Sequence, residues 1–208
     1  MKILNLFAGI GGNRTLWGDK HEIIAIEYNE NIAKIYKKRF PDDVIIIQDA
    51  YKYLEDNYGN FDFIWASPPC TTHTKVRFSH PIKMLPDMRL YSIIIFLKTW
   101  FKGKWVVENV KSYYKPLIKP IGIKRHYIWS NSLINPIKQK KAEISLNGSI
   151  EWVCKMKEMD YDFFKNIKIK DKRQIIRDCV KPTTGKYILD YILKDLKKPK
   201  KIWDYFNV

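Results

Sequence analysis

The sequence predicts an α/β protein built on one mostly parallel sheet flanked by helices, and three observations predict it. Short β-rich runs alternate with helical patterns through the first 130 residues. Apolar residues in the intervening segments recur at helical spacing. Glycine, proline and acidic residues cluster just after the strand-like runs, where ligands sit in an open α/β sheet. With 208 residues, 46% of them hydrophobic and 14% aromatic, the chain has ample material for one buried core.

Strands are predicted over 3–7, 22–28, 44–48, 61–66, 105–108 and 127–129. Between the second and third, Ile32, Ile35, Tyr36 and Phe40 share a helical face, and Pro41 stops the helix. Residues 87–101 form a second crossover helix, with Leu90, Ile94, Leu97 and Phe101 on one side. Residues 132–176 break the rhythm: they are polar and lysine-rich, with no clear periodicity beyond an aromatic cluster at Tyr161, Phe163 and Phe164. A helical pattern returns over 185–196 through Ile188, Ile192 and Leu196, followed by a basic tail at 197–201. The expected organisation is a core at 1–131, a small insertion at 132–176, and a segment at 177–208 that returns to the core.

No stretch approaches the roughly 18 apolar residues that span a bilayer, and Met1 leads directly into strand-like sequence, so a soluble intracellular protein with no membrane partner is expected, cytoplasmic if prokaryotic. Cys70, Cys154 and Cys179 show neither a paired framework nor CxxC spacing, which gives no reason to expect a disulfide scaffold or a metal site. The net charge of +16 points to a polyanionic partner, because lysines and arginines set against phosphates release condensed counterions. Nucleic acid is the simplest such partner, although codon bias also enriches a chain in Lys, Ile and Asn.

The first strand is followed by Phe7, Ala8, Gly9, Ile10, Gly11 and Gly12, a turn whose missing side chains let a backbone approach a ligand. Glu27 follows the second strand, where a carboxylate suits a ribose diol; Asp49 follows the third, where one suits an adenine amino group. Arg14 stands where GxGxxG would have its third glycine, which disfavours a nicotinamide cofactor, and no phosphate-cradling Lys or Ser/Thr pattern follows the turn. Ser67-Pro68-Pro69-Cys70 follows the fourth strand and Glu108-Asn109-Val110 the fifth.

Leu6 to Gly12, Pro69-Cys70 and Glu108-Asn109-Val110, in this order and at these strand ends, resemble the cytosine-5 DNA methyltransferase family over residues 1–130 and again near 177–193. The resemblance implies a Rossmann-like fold that uses S-adenosyl-L-methionine, with 132–176 as a reduced target-recognition insertion. It implies that Cys70 is the nucleophile that adds to carbon 6 of cytosine, making carbon 5 electron-rich enough to take the methyl group. Glu108 would hold ring nitrogen 3 and the exocyclic amine with a raised pKa, and Asn109 would brace the loop. Phe7, Ala8, Gly9, Gly11, Gly12, Glu27, Asp49 and Pro69 would surround the cofactor. Arg177-Asp178-Cys179-Val180 is similar to the segment that closes the pocket, which adds Asp178 and Val180.

Arg125 resembles the second arginine of the family's QxRxR motif, with Ile123 in place of the first; Thr71 stands for the usual Gln after the nucleophile and Thr74 for a later Ser. Lys75 and Arg77 are expected to supply the electropositive setting that a thiolate needs. His73 and His80 read as loop residues, Cys154 and Cys179 as structural.

The implied activity is a DNA (cytosine-5-)-methyltransferase acting on a cytosine flipped out of double-stranded DNA, as in restriction-modification or phage DNA protection. Only about 45 residues are available to read sequence, so relaxed or very short specificity is expected, with Lys138, Lys140 and Lys141 on phosphates. An RNA-directed relative carries the same nucleophile and glutamate, and the motifs do not separate the two polymers. A methyltransferase acting on an exocyclic amine would place an aromatic residue where Cys70 stands. A catalytically silent nucleic-acid-binding protein would have no use for Cys70 and Glu108 together. Nothing in the sequence speaks to oligomeric state.

Overall fold

β1 (Lys2–Leu6) is so apolar that both its faces are buried, and Ile3, Leu4 and Leu6 have no exposed surface. Such a strand belongs at the centre of a parallel sheet covered on both sides. The structure is a computed structural model that describes residues 1–75, 85–138 and 148–197. In it β1 lies between β2 (Glu22–Ile26) and β4 (Phe63–Ala66), with β3 (Val44–Ile46) beyond β2 and β5 (Lys104–Val110) beyond β4, all five parallel. β7 (His126–Ser130) pairs antiparallel with β5, and β6 (Ile121–Ile123) antiparallel with β7, giving the order β3-β2-β1-β4-β5-β7-β6. The chain leaves β1 toward opposite sides of the sheet, and this reversal opens a crevice at the carboxyl ends of β1 and β4.

Five predicted strands match β1 to β5 within a few residues. The sixth, at 127–129, is β7; a three-residue strand that the sequence reading lacked, β6, precedes it. Arg125 lies on the turn between β6 and β7, immediately before β7.

α1 (Glu30–Arg39) begins where the Asn29 side chain accepts from the amides of Asn31 and Ile32, and ends in Lys37, Lys38 and Arg39, which suit the negative end of the helix dipole. α2 (Ala50–Asn57), absent from the sequence reading, is capped by Asp49 accepting from the Lys52 amide. α3 (Arg89–Trp100) packs Leu90, Ile94 and Leu97 on the sheet face formed by Leu4, Leu6, Ile64, Ala66 and Val107. α7 (Pro182–Leu196) packs Ile188, Leu189 and Ile192 on the opposite face, formed by Ile3, Phe63, Trp65, Val106 and Ile128. The alternation of strand side chains thus sorts the core into two layers.

The insertion is helical, against the expectation of an aperiodic segment. α4 (Ile150–Lys157), α5 (Tyr161–Lys165) and α6 (Lys172–Asp178) bury Val153, Cys154, Phe164 and Ile176 against Ile10 and Ile35. These helices are short, and each buries one or two side chains, too few to show as a period. Arg39 adds polar contacts: its guanidinium donates to the Ile10 carbonyl and to Thr15 Oγ1 and lies over the Phe164 ring. No helix among the described residues is long and apolar enough to cross a membrane.

Arg14 owes its place to a buried ion pair. Its Nε and Nη2 donate to the two oxygens of Asp43 at 2.9 and 3.0 Å, and Tyr36 donates to the same carboxylate at 2.8 Å. The two side chains are 6% and 4% exposed, so neither charge has water in place of its partner. Replacing one member strands the other. Asp43→Asn is expected to cost about 3–5 kcal/mol in urea denaturation, whereas Lys34→Ala, which breaks the exposed Glu30–Lys34 pair, leaves the midpoint unchanged; equal midpoints for both variants would refute this role for the pair.

Candidate active site

The turn after β1 is held open by its backbone. Phe7, Gly9 and Gly11 take positive φ values of 55°, 55° and 74°, so the chain coils tightly there. The Gly9 amide donates to Glu27 Oε2 at 2.9 Å and the Asn29 amide to Oε1 at 2.8 Å, so Glu27 joins the turn to the start of α1. A carboxylate has lone pairs left after two such bonds, and these can accept from a diol. A Cβ placed on Gly9 would meet no atom within 4 Å, so the space in front of it is free for a ligand. On the far side the turn is tightly backed. A Cβ on Gly12 would lie 2.5 Å from the Val180 carbonyl oxygen and 2.7 Å from Cys179 Cβ, and one on Gly185 would lie 2.2 Å from the Asn13 carbonyl oxygen. The segment carrying Asp178 and Val180 therefore presses on the glycine turn, and α7 starts against it. Asn13 in turn donates to Asn5 within β1 at 2.9 Å.

Asp49 stands at the mouth of the same crevice as the cap of α2, with Oδ2 free of the capping bond. The turn, Glu27 and Asp49 together provide two carboxylates and an open approach, which fits a nucleoside-containing cofactor. Tyr28, 79% exposed beside Glu27, is an aromatic surface at this mouth that the sequence reading passed over. No group of three or more His, Cys, Asp or Glu among the described residues is placed to hold a metal ion.

β4 delivers the second part of the site. Ser67, Pro68, Pro69 and Cys70 leave its end, and a tight turn follows in which the Cys70 carbonyl accepts from the amides of His73 and Thr74. Asn109 Nδ2 donates to the Pro68 carbonyl at 2.9 Å, while its Oδ1 accepts from the Val110 amide. The Cys70 loop is thereby attached to the end of β5. His73 is 1% exposed, and its Nδ1 lies 2.7 Å from the Tyr114 hydroxyl, which ties the loop to the residues after β5. Thr71 is exposed and Thr74 half-buried.

Cys70 is half-buried, in contrast to Cys154 and Cys179, which are buried. Burial, with Asp178 and Glu108 nearby, pushes its thiol up to about 12, and Lys157 pulls the other way. Among the described residues the cation acting on this sulfur is Lys157, from the last turn of α4, rather than the expected Lys75. Lys75 is exposed, and Arg77 and His80 lie outside the described residues. The Lys157 ammonium donates to the Cys179 carbonyl at 2.5 Å, and burial lowers its own pKa. No pattern in the lysine-rich insertion singled it out.

Glu108 is 5% exposed, and its Oε1 lies 2.5 Å from His126 Nδ1. The β5–β7 register sets Glu108 opposite Ile128 and Val110 opposite His126, so the carboxylate and the imidazole project from the same face. Arg125, one residue earlier, is exposed on the β6–β7 turn, and its carbonyl accepts from the Lys111 amide. His126 is a second site residue absent from the sequence reading; the alternation of β7 would have marked it had its pairing with β5 been known. Lys138 is exposed, and Lys140, Lys141 and the tail beyond 197 lie outside the described residues.

The structure therefore brings an open glycine turn, a half-buried thiol and a buried glutamate to the carboxyl ends of adjacent strands. Residues 1–116, more than half of the chain, match the family described as C-5 cytosine-specific DNA methylase. No curated protein matches. Among solved structures, the Entamoeba histolytica methyltransferase EhMeth shares the fold at 16% identity and a TM-score of 0.58, over 95% of this chain and 99% of that one. A mutant of Spodoptera frugiperda DNMT2 shares it at 13% identity and a TM-score of 0.59, over 92% and 99%. The chain belongs to the C-5 cytosine-specific DNA methylase family, with a Rossmann-like fold and S-adenosyl-L-methionine as its methyl donor.

Proposed function

We propose that the chain methylates carbon 5 of cytosine in DNA through a transient bond between Cys70 and carbon 6, on a base flipped out of the duplex. The observation that carries this reading is the convergence of Cys70 and Glu108 at the ends of β4 and β5, joined by the Asn109–Pro68 hydrogen bond. The donor supplies an electrophilic methyl on a sulfonium. Phe7, Ala8, Gly9, Gly11 and Gly12 would line its binding turn, Glu27 and Asp49 would accept from its hydroxyls and amine, and Pro69, Asp178 and Val180 would close the pocket.

In the proposed reaction Cys70 loses its proton to solvent, and its sulfur electron pair forms the bond to carbon 6. Charge moves onto the ring, where Glu108 meets it at nitrogen 3, and carbon 5 would take the methyl group as the donor's sulfur–methyl bond breaks and its electron pair stays on that sulfur, leaving a neutral thioether. A water removes the carbon 5 proton, and the electrons left behind expel the Cys70 thiolate. Asn109 fixes the loop that presents the sulfur, and Arg125, exposed beside the site, contacts the flipped base. Flipping is required because the target atoms lie inside the stack. The charge of +16 suits the phosphates. With 1–131 and 177–208 forming the catalytic core, the short insertion at 132–176 leaves few residues for base readout, which favours relaxed or very short specificity, with Lys138, Lys140 and Lys141 on phosphates.

Two tests follow from this chemistry. With labelled S-adenosyl-L-methionine and separate DNA and RNA, the native protein is expected to produce 5-methylcytosine in DNA, and Cys70→Ala to lose at least about a thousandfold in rate. Equal product from both proteins would reject the nucleophile, label confined to RNA would reassign the polymer, and an N-methylated base would reject the reaction. The second test reads the thiol. A thiol ionising near 12 is about one part in ten thousand thiolate at pH 8, so iodoacetamide should modify Cys70 slowly. Asp178 raises its pKa and Lys157 lowers it. Asp178→Asn should therefore speed alkylation and Lys157→Met slow it, each by roughly threefold to tenfold, as read by mass spectrometry of the Cys70 peptide; changes in the opposite sense would refute the electrostatic assignment.

A further inference from the structure

His126 has no part in the reaction as proposed, yet it makes a short contact with a buried group that does. Its Nδ1 lies 2.5 Å from Glu108 Oε1, and the two side chains are 13% and 7% exposed. The contact is built by strand register rather than by a chance rotamer. β5 and β7 place both side chains on one face, while Asn109, between them in register, turns to the other side and holds Pro68.

We infer that Glu108 and His126 act as one proton-holding unit, in which His126 is a positioning residue that keeps available the proton taken by ring nitrogen 3 as Cys70 adds to carbon 6. The inference rests on the reading of Glu108 given above. A carboxyl that hands a proton to nitrogen 3 must be resupplied with one, and an imidazole N–H held at hydrogen-bond distance from it is a donor placed to do so.

The step balances. As the sulfur–carbon 6 bond forms, the N–H bond at His126 Nδ1 breaks toward the Glu108 carboxylate, and the carboxyl passes a proton to nitrogen 3. A neutral imidazole, a carboxylate and a protonated ring nitrogen remain. When the thiolate is expelled, the proton returns by the same route. Among the charged groups nearby, Lys157 from α4 interacts with Glu108, with Arg125 and with Asp178 at the end of α6, and Asp178, Glu108 and Lys157 all act on Cys70. Lys124 lies beside Arg125 on the β6–β7 turn, and Lys111 follows β5.

The test combines a spectrum that needs no turnover with a pH profile that does. By nuclear magnetic resonance of the full chain, the His126 Nδ1 resonance is expected to report its hydrogen bond to Glu108, and Glu108→Gln should shift it while leaving the ring resonances of His21 and His73 in place. In methyl transfer, His126→Asn keeps a donor near the Nδ1 position but stores no proton. It should move the alkaline fall of kcat/KM down by about one pH unit and cut kcat at pH 7.5 roughly tenfold, with little change in KM for nucleic acid. His126→Ala should do the same and lose more. A His126→Asn profile that superimposes on the native one, or a His126 Nδ1 resonance unmoved by Glu108→Gln, would overturn the inference. Absence of Cys70-dependent methylation at any pH would remove the reading of Glu108 and this inference with it, a result distinct from methylation that ignores His126.

Discussion

The hydrogen bond from Asn109 to the carbonyl of Pro68 is the joint on which the site depends. Two adjacent parallel strands end a short distance apart, but each is followed by irregular chain that is free to diverge. Proline offers no amide to a sheet ladder, so the segment leading to Cys70 cannot continue β4 as a paired strand. A buried side-chain amide at the end of β5 takes its carbonyl instead. The sulfur on one strand end and the carboxylate on the next are thereby fixed relative to each other by a contact that belongs to neither. His73 and Tyr114 repeat the same tie one turn further along.

A second constraint acts at the glycine turn. Its inner side is kept open by backbone torsion, while its outer side is packed so closely by Val180 and Asn13 that Gly12 and Gly185 have no room for a methyl group. The turn is rigid because it is supported from behind, and a surface of this kind can bind without first losing conformational entropy. Glu27 contributes from the third direction, holding the turn and the start of α1 with one carboxylate.

Much of this was legible in the residues. β1 to β5 stand out because parallel strands buried on both faces are nearly unbroken apolar runs, and α1, α3 and α7 because each buries one long face. The strand-end motifs were visible for the same reason that they work: function collects where each strand stops. α2 was hidden in a run of tyrosines and charges, and β6 is only three residues long. α4 to α6 are short helices whose order comes from packing on Ile10 and Ile35 rather than from a period of their own. Lys157 and His126 could not be read in advance, because each depends on which distant strand or helix lies beside it. Arg125 was the conspicuous cation in its segment, but the strand's alternation turned the neighbouring imidazole toward Glu108.

The backing of the glycine turn has a consequence for how the molecule comes together. The turn precedes the chain that presses on it by some 170 residues. Contacts of such long range form late, after the intervening loops have closed. The support behind the turn is therefore complete only when α7 docks, so a chain whose central sheet has formed without it would keep the turn but lack the packing that holds it rigid.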